Sequence, residues 1–149
     1  PDRCASLILA DSFAVHPQGQ AIYERSIAAS HDMRRLAEAR VGALLVSDEP
    51  RTEVIETMAA IDPNAYRIGA EAVWLADQRD RAAAIRVPTL ILVGDADAIT
   101  PPDLSEELNA MIPGSRIGVI HGASHLANLD EPAEFNRAID DFLVTVEEA

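Results

Sequence analysis

Two short segments hold the side chains best suited to chemistry. One is Gly94-Asp95-Ala96-Asp97-Ala98-Ile99-Thr100-Pro101, and the other is His121-Gly122-Ala123-Ser124-His125-Leu126. Each follows a short apolar run that reads as a β-strand. If the two strands lie close in one sheet, a carboxylate and an imidazole face each other above it. A carboxylate that accepts the proton of one ring nitrogen fixes the tautomer and leaves the other nitrogen free as a general base. The Asp95-x-Asp97 pair does not make an EF-hand, which needs more carboxylates and a Gly at fixed spacing. His121 and His125 stand four apart, as helical metal pairs do, but Gly122 and the strand end put them in a loop. No metal and no cofactor is expected. Asp95 reads as a solvated or loop-capping carboxylate, His121 as structural and Ser124 as a loop hydrogen-bonder.

The elements that must position these loops follow from the apolar pattern. Residues 87–94, VPTLILVG, are a near-continuous apolar run, the mark of a strand covered on both faces. Residues 116–120, RIGVI, and 5–11, ASLILAD, read as two more strands. Thr100-Pro101 resembles a helix start, a hydroxyl N-cap before a Pro at the first helical position. That helix would bury Leu104, Leu108, Met111 and Ile112 and end before Pro113-Gly114. Asp130-Glu131-Pro132 opens a last helix with Phe135, Ile139, Phe142, Leu143 and Val146 inward. Residues 17–86 are Ala-rich, with apolar residues at near-helical spacing broken at Pro63. Strands alternating with helices predict a parallel α/β sheet, with ligand sites at the carboxyl ends of its strands. Three strands are fewer than the roughly five or six of a mean sheet. Either the sheet has an exposed edge or another polypeptide segment completes it.

Composition narrows the function. The 149 residues carry 25 acidic and 12 basic side chains, a formal net charge of −13, and every basic side chain is Arg. Ten Arg face thirteen acids in residues 1–86 (net −3), and two face twelve in residues 87–149 (net −10). Such a balance excludes nucleic acid as the expected partner, because phosphate neutralisation needs clustered cations. The single Cys4 forms no internal disulfide, fits a reducing compartment, and reads as a small buried hydrophobe near a strand start. The apolar run near the start is too short for a membrane span and lacks the features of a signal peptide, so a cytoplasmic location is expected.

The stretches RVPTLILVGDADAITPP and GSRIGVIHGASHLANLDEPAEFNRAIDDFL resemble the carboxyl-terminal half of the α/β-hydrolase family. In that family a G-[DE]-x-D-x-x-x-P loop after the penultimate core strand carries the triad acid at its second acidic position, which is Asp97 here. A later G-x-x-H loop carries the triad His, which falls on His125. Residues 1–16 resemble the strand and loop after the nucleophile helix, residues 17–86 a helical cap, and residues 87–149 the carboxyl-terminal α/β core. The cap and tail resemble the 3-oxoadipate enol-lactonase and esterase branch. The resemblance implies hydrolysis of a small-molecule ester or lactone by a Ser-His-Asp triad, with no cofactor. Trp74 and Tyr66 on a cap helix are then candidate substrate contacts, and Arg79 could bind a substrate carboxylate through its planar fork.

The nucleophile motif G-x-S-x-G is absent from the sequence. Gly122-Ala123-Ser124-His125-Leu126 lacks the second Gly and follows the wrong strand. In the family this motif and the oxyanion loop lie upstream of the matching region. The resemblance therefore implies a nucleophilic Ser on an amino-terminal segment that would also complete the sheet. Two other readings stay open. One is a truncated, inactive binding or interaction module. The other is C–C hydrolysis, acyl transfer, haloperoxidation or dehalogenation on the same acid–base pair.

Overall fold

The computed structural model describes residues 3–147. At its centre lies β2 (Thr89–Gly94), the run VPTLILVG less its first two residues, and all six of its residues are buried. β1 (Leu7–Ala10) pairs with it on one side and β3 (Arg116–Ile120) on the other, both parallel, in the order β1-β2-β3. Leu7 is level with Thr89, and Leu90 with Arg116. Alternate side chains of β2 go to opposite faces. Leu90 and Leu92 join Ile120 against Phe142, Phe135 and Ile139 of α8 (Pro132–Glu147). Ile91 goes the other way, onto Leu108 and Ile112 at the end of α6 (Pro102–Met111). Each such fully buried aliphatic side chain contributes about 1.5–3 kcal/mol. The parallel α/β sheet is the expected one.

Both outer strands pair on one side only among the described residues. β3 leaves Ile117 and Val119 exposed at 38% and 39%, and β1 is only half-buried. The covering is thus least complete at the two edges.

Between β1 and β2 the chain runs through α1 (Gly19–Ala29), α2 (Met33–Leu44), α3 (Arg51–Ala59), α4 (Pro63–Trp74) and α5 (Arg79–Ala83). Local chemistry starts two of them. The Asp32 carboxylate accepts the Arg35 N–H at the head of α2. The Asp62 carboxylate accepts the Asn64 and Ala65 N–H groups before Pro63 at the first position of α4. Val41 and Leu44 of α2, with Leu45, pack against Val54 of α3, and that cluster also takes in Ile99 and Leu126. Those last two residues belong to the loops after β2 and β3. The helical insertion therefore sits over the carboxyl end of the sheet. Among the described residues no helix is long and apolar enough to cross a membrane.

Three local expectations are corrected. α6 starts one residue late: Pro101 is its N-cap, Pro102 its first helical residue, and no side chain caps it. Thr100 is drawn to a different acceptor, described below. Leu143 is 39% exposed on the outer side of α8, because the stripe through Phe135, Ile139, Phe142 and Val146 already covers the sheet. Cys4 is exposed, since it lies ahead of β1 rather than beneath it.

Candidate active site

Because β2 and β3 are parallel neighbours, the loops that follow them leave from the same end of the sheet. Gly94 lets them touch. A Cβ there would collide with the carbonyl oxygens of Ala123 and Ser124. The Asp95 N–H donates to the Ile120 carbonyl at 3.1 Å and the Ala96 N–H to the Ala123 carbonyl at 2.9 Å. The loops then face each other with two Asp–His pairs.

The outer pair is Asp95 and His121. Asp95 Oδ2 lies 3.1 Å from His121 Nδ1, and its Oδ1 accepts the Gly122 N–H at 2.9 Å. The hydrogen bond from His121, then that from Gly122, holds the Asp95 carboxyl below its usual range. His121 is largely exposed, so this pair ties loop to loop in solvent and contributes little to stability.

The inner pair is Asp97 and His125. Asp97 Oδ2 lies 2.9 Å from His125 Nδ1, and the Asp97 side chain is fully buried. Three more donors fix that carboxylate. The Ile99 and Thr100 N–H groups donate to Oδ1 at 2.7 and 2.9 Å, and the Thr100 hydroxyl donates to Oδ2 at 2.6 Å. Burial pushes the carboxyl pKa up, but the hydrogen bonds from His125 and Thr100 outweigh it and the net shift is downward. An ionised carboxylate opposite Nδ1 puts the ring proton on Nδ1 and leaves Nε2 bare. Thr100 is therefore the orienter of Asp97 rather than a helix cap.

Two further carboxylates belong to this site, and sequence reasoning gave neither a role in it. Asp11 follows β1 with φ of 46°, a conformation Asp tolerates better than most residues. Its Oδ1 accepts the Gly94 N–H at 3.0 Å. Burial, then the nearby charge of Asp97, raises its pKa from 3.8 to about 6 against the opposing Gly94 hydrogen bond. The signal was there: Asp11 ends an apolar strand at the sheet edge where ligand sites form.

Asp130 was expected to open the last helix. It ends instead a short helix, α7 (Ala127–Asp130), inside what reads as a loop, and it is 8% exposed. Its carboxylate accepts the N–H groups of Val46 (3.0 Å), Ser47 (2.8 Å) and Ser124 (2.8 Å). Burial raises its pKa, but these backbone donors bring it below the usual value. Beside it the Ser124 hydroxyl donates to the Ala43 carbonyl at 3.0 Å, and the Leu126 N–H to the Leu44 carbonyl at 2.9 Å. The segment that carries His125 is thus pinned to the end of α2. No local sequence pattern announces contacts across some eighty residues.

His125 is 25% exposed and lines two cavities. One, of about 450 Å³, is lined by Leu44, Val54, Met58, Leu126 and Leu129, with Arg40, Glu53 and Thr57 beside them. The other, of about 300 Å³, holds Asp11, Phe13 and Trp74. Phe13 and Trp74 stack with ring centres 5.6 Å apart, and His16 stands edge-on to both. The structure thus brings Asp97, His125 and Trp74 together. Tyr66 reaches the site through Arg40, whose Nη1 donates to its hydroxyl at 2.7 Å. Arg79 is not brought there: it is exposed, ion-paired with Asp77, and lines neither cavity.

The chain is similar to several known hydrolases. The chain is 30% identical over 101 residues to 3-oxoadipate enol-lactonase 1 of Acinetobacter baylyi, covering 68% of this chain and 38% of that protein. It is 36% identical over 81 residues to the pimeloyl-[acyl-carrier protein] methyl ester esterase of Neisseria meningitidis, covering 54% of this chain and 26% of that protein. The crystal structure of a hydrolase from Pseudomonas aeruginosa PA01 superposes with a TM-score of 0.86 at 27% identity, covering 96% of this chain and 57% of that one. The chain therefore spans about a quarter to two-fifths of these curated relatives and just over half of the solved structure. The sequence profile described as the alpha/beta hydrolase family matches residues 3–138. With nine-tenths of its length so matched, the chain belongs to the alpha/beta hydrolase family.

Proposed function

We propose that this chain supplies the acid and the base of an ester or lactone hydrolase whose nucleophilic Ser lies on a segment outside it. The observation that carries the reading is the 2.9 Å contact of buried Asp97 with His125 Nδ1, which leaves Nε2 bare at the wall of two cavities. Relatives that include an enol-lactonase and a methyl ester esterase support ester chemistry.

The reaction runs through an acyl-enzyme in two stages. The Ser hydroxyl attacks the carbonyl carbon, and His125 Nε2 takes its proton. Asp97 stabilises the imidazolium and holds the ring in place without taking the proton. The tetrahedral intermediate collapses, and Nε2 hands the proton to the departing alkoxide. Water then attacks the acyl-enzyme, gives a proton to Nε2, and that proton returns to Ser as the acid leaves. The five-helix insertion acts as the cap over this centre. The unpaired edge of β1 takes the upstream part of the sheet.

The test uses the full-length protein and p-nitrophenyl acetate. His125→Ala should lower kcat about 10³-fold or more in a variant that remains folded by circular dichroism. Retained turnover in that variant would remove His125 from the chemistry. A folded parent that turns over no ester would make the chain a binding module instead.

A further inference from the structure

Asp11 is tied by its backbone and by its side chain to the loops that carry the acid and the base. Its N–H donates to the Leu92 carbonyl of β2 at 2.8 Å. Its carbonyl accepts the Thr100 hydroxyl at 3.1 Å, and the same hydroxyl oxygen lies 2.6 Å from Asp97 Oδ2 and 3.1 Å from His125 Nδ1. A single hydroxyl thus separates the Asp11 backbone from both members of the inner pair. The Asp11 carboxylate accepts the N–H of Gly94, the last residue of β2 before the Asp97 loop. The Ala127 N–H, two residues past His125, adds a weaker pull on it. Asp11 and His125 also line one cavity, the one of about 300 Å³. Among the described residues Asp11 is the one non-Gly position with positive φ. A backbone of that kind persists only where its surroundings hold it, and such residues gather at functional sites.

Few charges surround this carboxyl. Asp97 acts on it from the loop after β2, and His125 from the loop after β3. α4 brings neutral Ala72, Val73 and Trp74 to the cavity, and Gln78 completes that side. On α7 the Asp130 carboxylate turns instead to the N–H groups of Val46, Ser47 and Ser124. His16 stands 3.0 Å through Nε2 from the Ile99 carbonyl and, with Asp103, borders a different cavity. Among the described residues no Arg lines the cavity that Asp11 and His125 share. An imidazolium on His125 is then the cation that the Asp11 charge can act on.

We propose that Asp11 is a positioning residue for the hydrolysis, a second carboxylate that acts through His125 by stabilising its imidazolium from the β1 side while Asp97 holds Nδ1. This rests on the hydrolase reading above. The division of labour follows from burial and contact. Asp97 touches the ring and fixes its tautomer. Asp11 makes no contact with the ring and supplies charge alone. Burial and the charge of Asp97 keep a proton on Asp11 up to about pH 6, so the second carboxylate forms in the range where imidazoles in general titrate. Two groups that interact across one range release their protons as a pair.

The experiment measures kcat/KM for p-nitrophenyl acetate against pH on the full-length protein. The acid limb of that profile reports the base of the free enzyme. Asp11→Asn keeps the Gly94 contact and removes the charge. It should move the acid limb down by about 0.5–1 pH unit and lower the plateau roughly 3- to 10-fold, because the imidazolium loses one of two carboxylates. Asp11→Glu keeps the charge and should bring the limb back toward that of the parent. A limb in Asp11→Asn within about 0.2 pH unit of the parent's overturns the proposal, whatever happens to the plateau, since a merely structural role changes rate and leaves the limb in place. An equal shift in both variants traces to shape rather than charge and overturns it too. Proton NMR titration of the His125 imidazole reads the same coupling without turnover. If the parent cleaves no ester, the hydrolase reading fails and this titration decides the rest. A His125 midpoint that is lower in Asp11→Asn than in the parent upholds the coupling, and an unmoved midpoint removes it.

Discussion

Asp11→Asn separates charge from shape at one atom pair. Asp11 Oδ1 accepts the Gly94 N–H, and an Asn amide oxygen accepts it equally. Asn also tolerates the φ of 46° found there. The substitution therefore keeps the Gly94 contact and removes the ionisation. Folding raises the Asp11 pKa from 3.8 to about 6, so the proton is held more tightly in the folded chain. The stability this gives is full below the unfolded pKa and is lost as pH rises through about 6, where Asp11 must ionise beside ionised Asp97. Two pKa units correspond to about 3 kcal/mol, and partial solvent access brings the expectation to about 1–2 kcal/mol. Asp11→Asn should thus be more stable than the parent by that amount at about pH 8 and equal to it near about pH 4. With a urea m-value of about 1.5–2 kcal/mol/M, the midpoint at the higher pH should rise by roughly 1 M. Urea titrations of both proteins across that range measure it. An equal shift at both pH values, or a less stable variant at the higher one, would refute the reasoning.

Two other substitutions probe the loops. Gly94→Ala should push the His125 loop off the end of β2, because the new Cβ meets the Ala123 and Ser124 carbonyls. A cost of about 1–3 kcal/mol is expected in thermal unfolding, with shifted His125 imidazole resonances, and unchanged resonances would count against the close approach. Asp130→Ala strands the N–H groups of Val46, Ser47 and Ser124. It should lower stability by about 3 kcal/mol, or roughly 10 °C in Tm, and speed amide exchange at Leu126. The depressed pKa of Asp130 means its contribution is present above the usual carboxylate range and fades as pH falls through it. The gap between parent and variant should accordingly narrow in acid, and a gap independent of pH would show that the carboxylate charge plays no part.

What was legible in the sequence had its cause nearby in the chain. β2 could be read because burial on both faces forces a continuous apolar run, and the Asp and His loops because they directly follow strands. The inner Asp–His pair could be named only through a family resemblance, since Asp95 and Asp97 are alike as residues and differ by burial. Thr100 misled because a hydroxyl before two prolines looks like a cap, while a buried carboxylate three residues earlier is the stronger acceptor. Asp130 misled likewise: its local setting is a helix start, and two of its three donors, Val46 and Ser47, lie more than eighty residues earlier in the chain.

The pairing of β1 with β2 sets a clock for synthesis. Leu7 waits for Thr89, 82 residues later in the chain. At about 5–20 residues per second, an apolar strand spends roughly 4–16 s on the ribosome before its partner has been made. During that interval the helix pair α2–α3 can already close on itself, but Leu7, Ile8 and Leu9 have yet to meet β2. Their safety then depends on whatever occupies the other edge of that strand in the meantime.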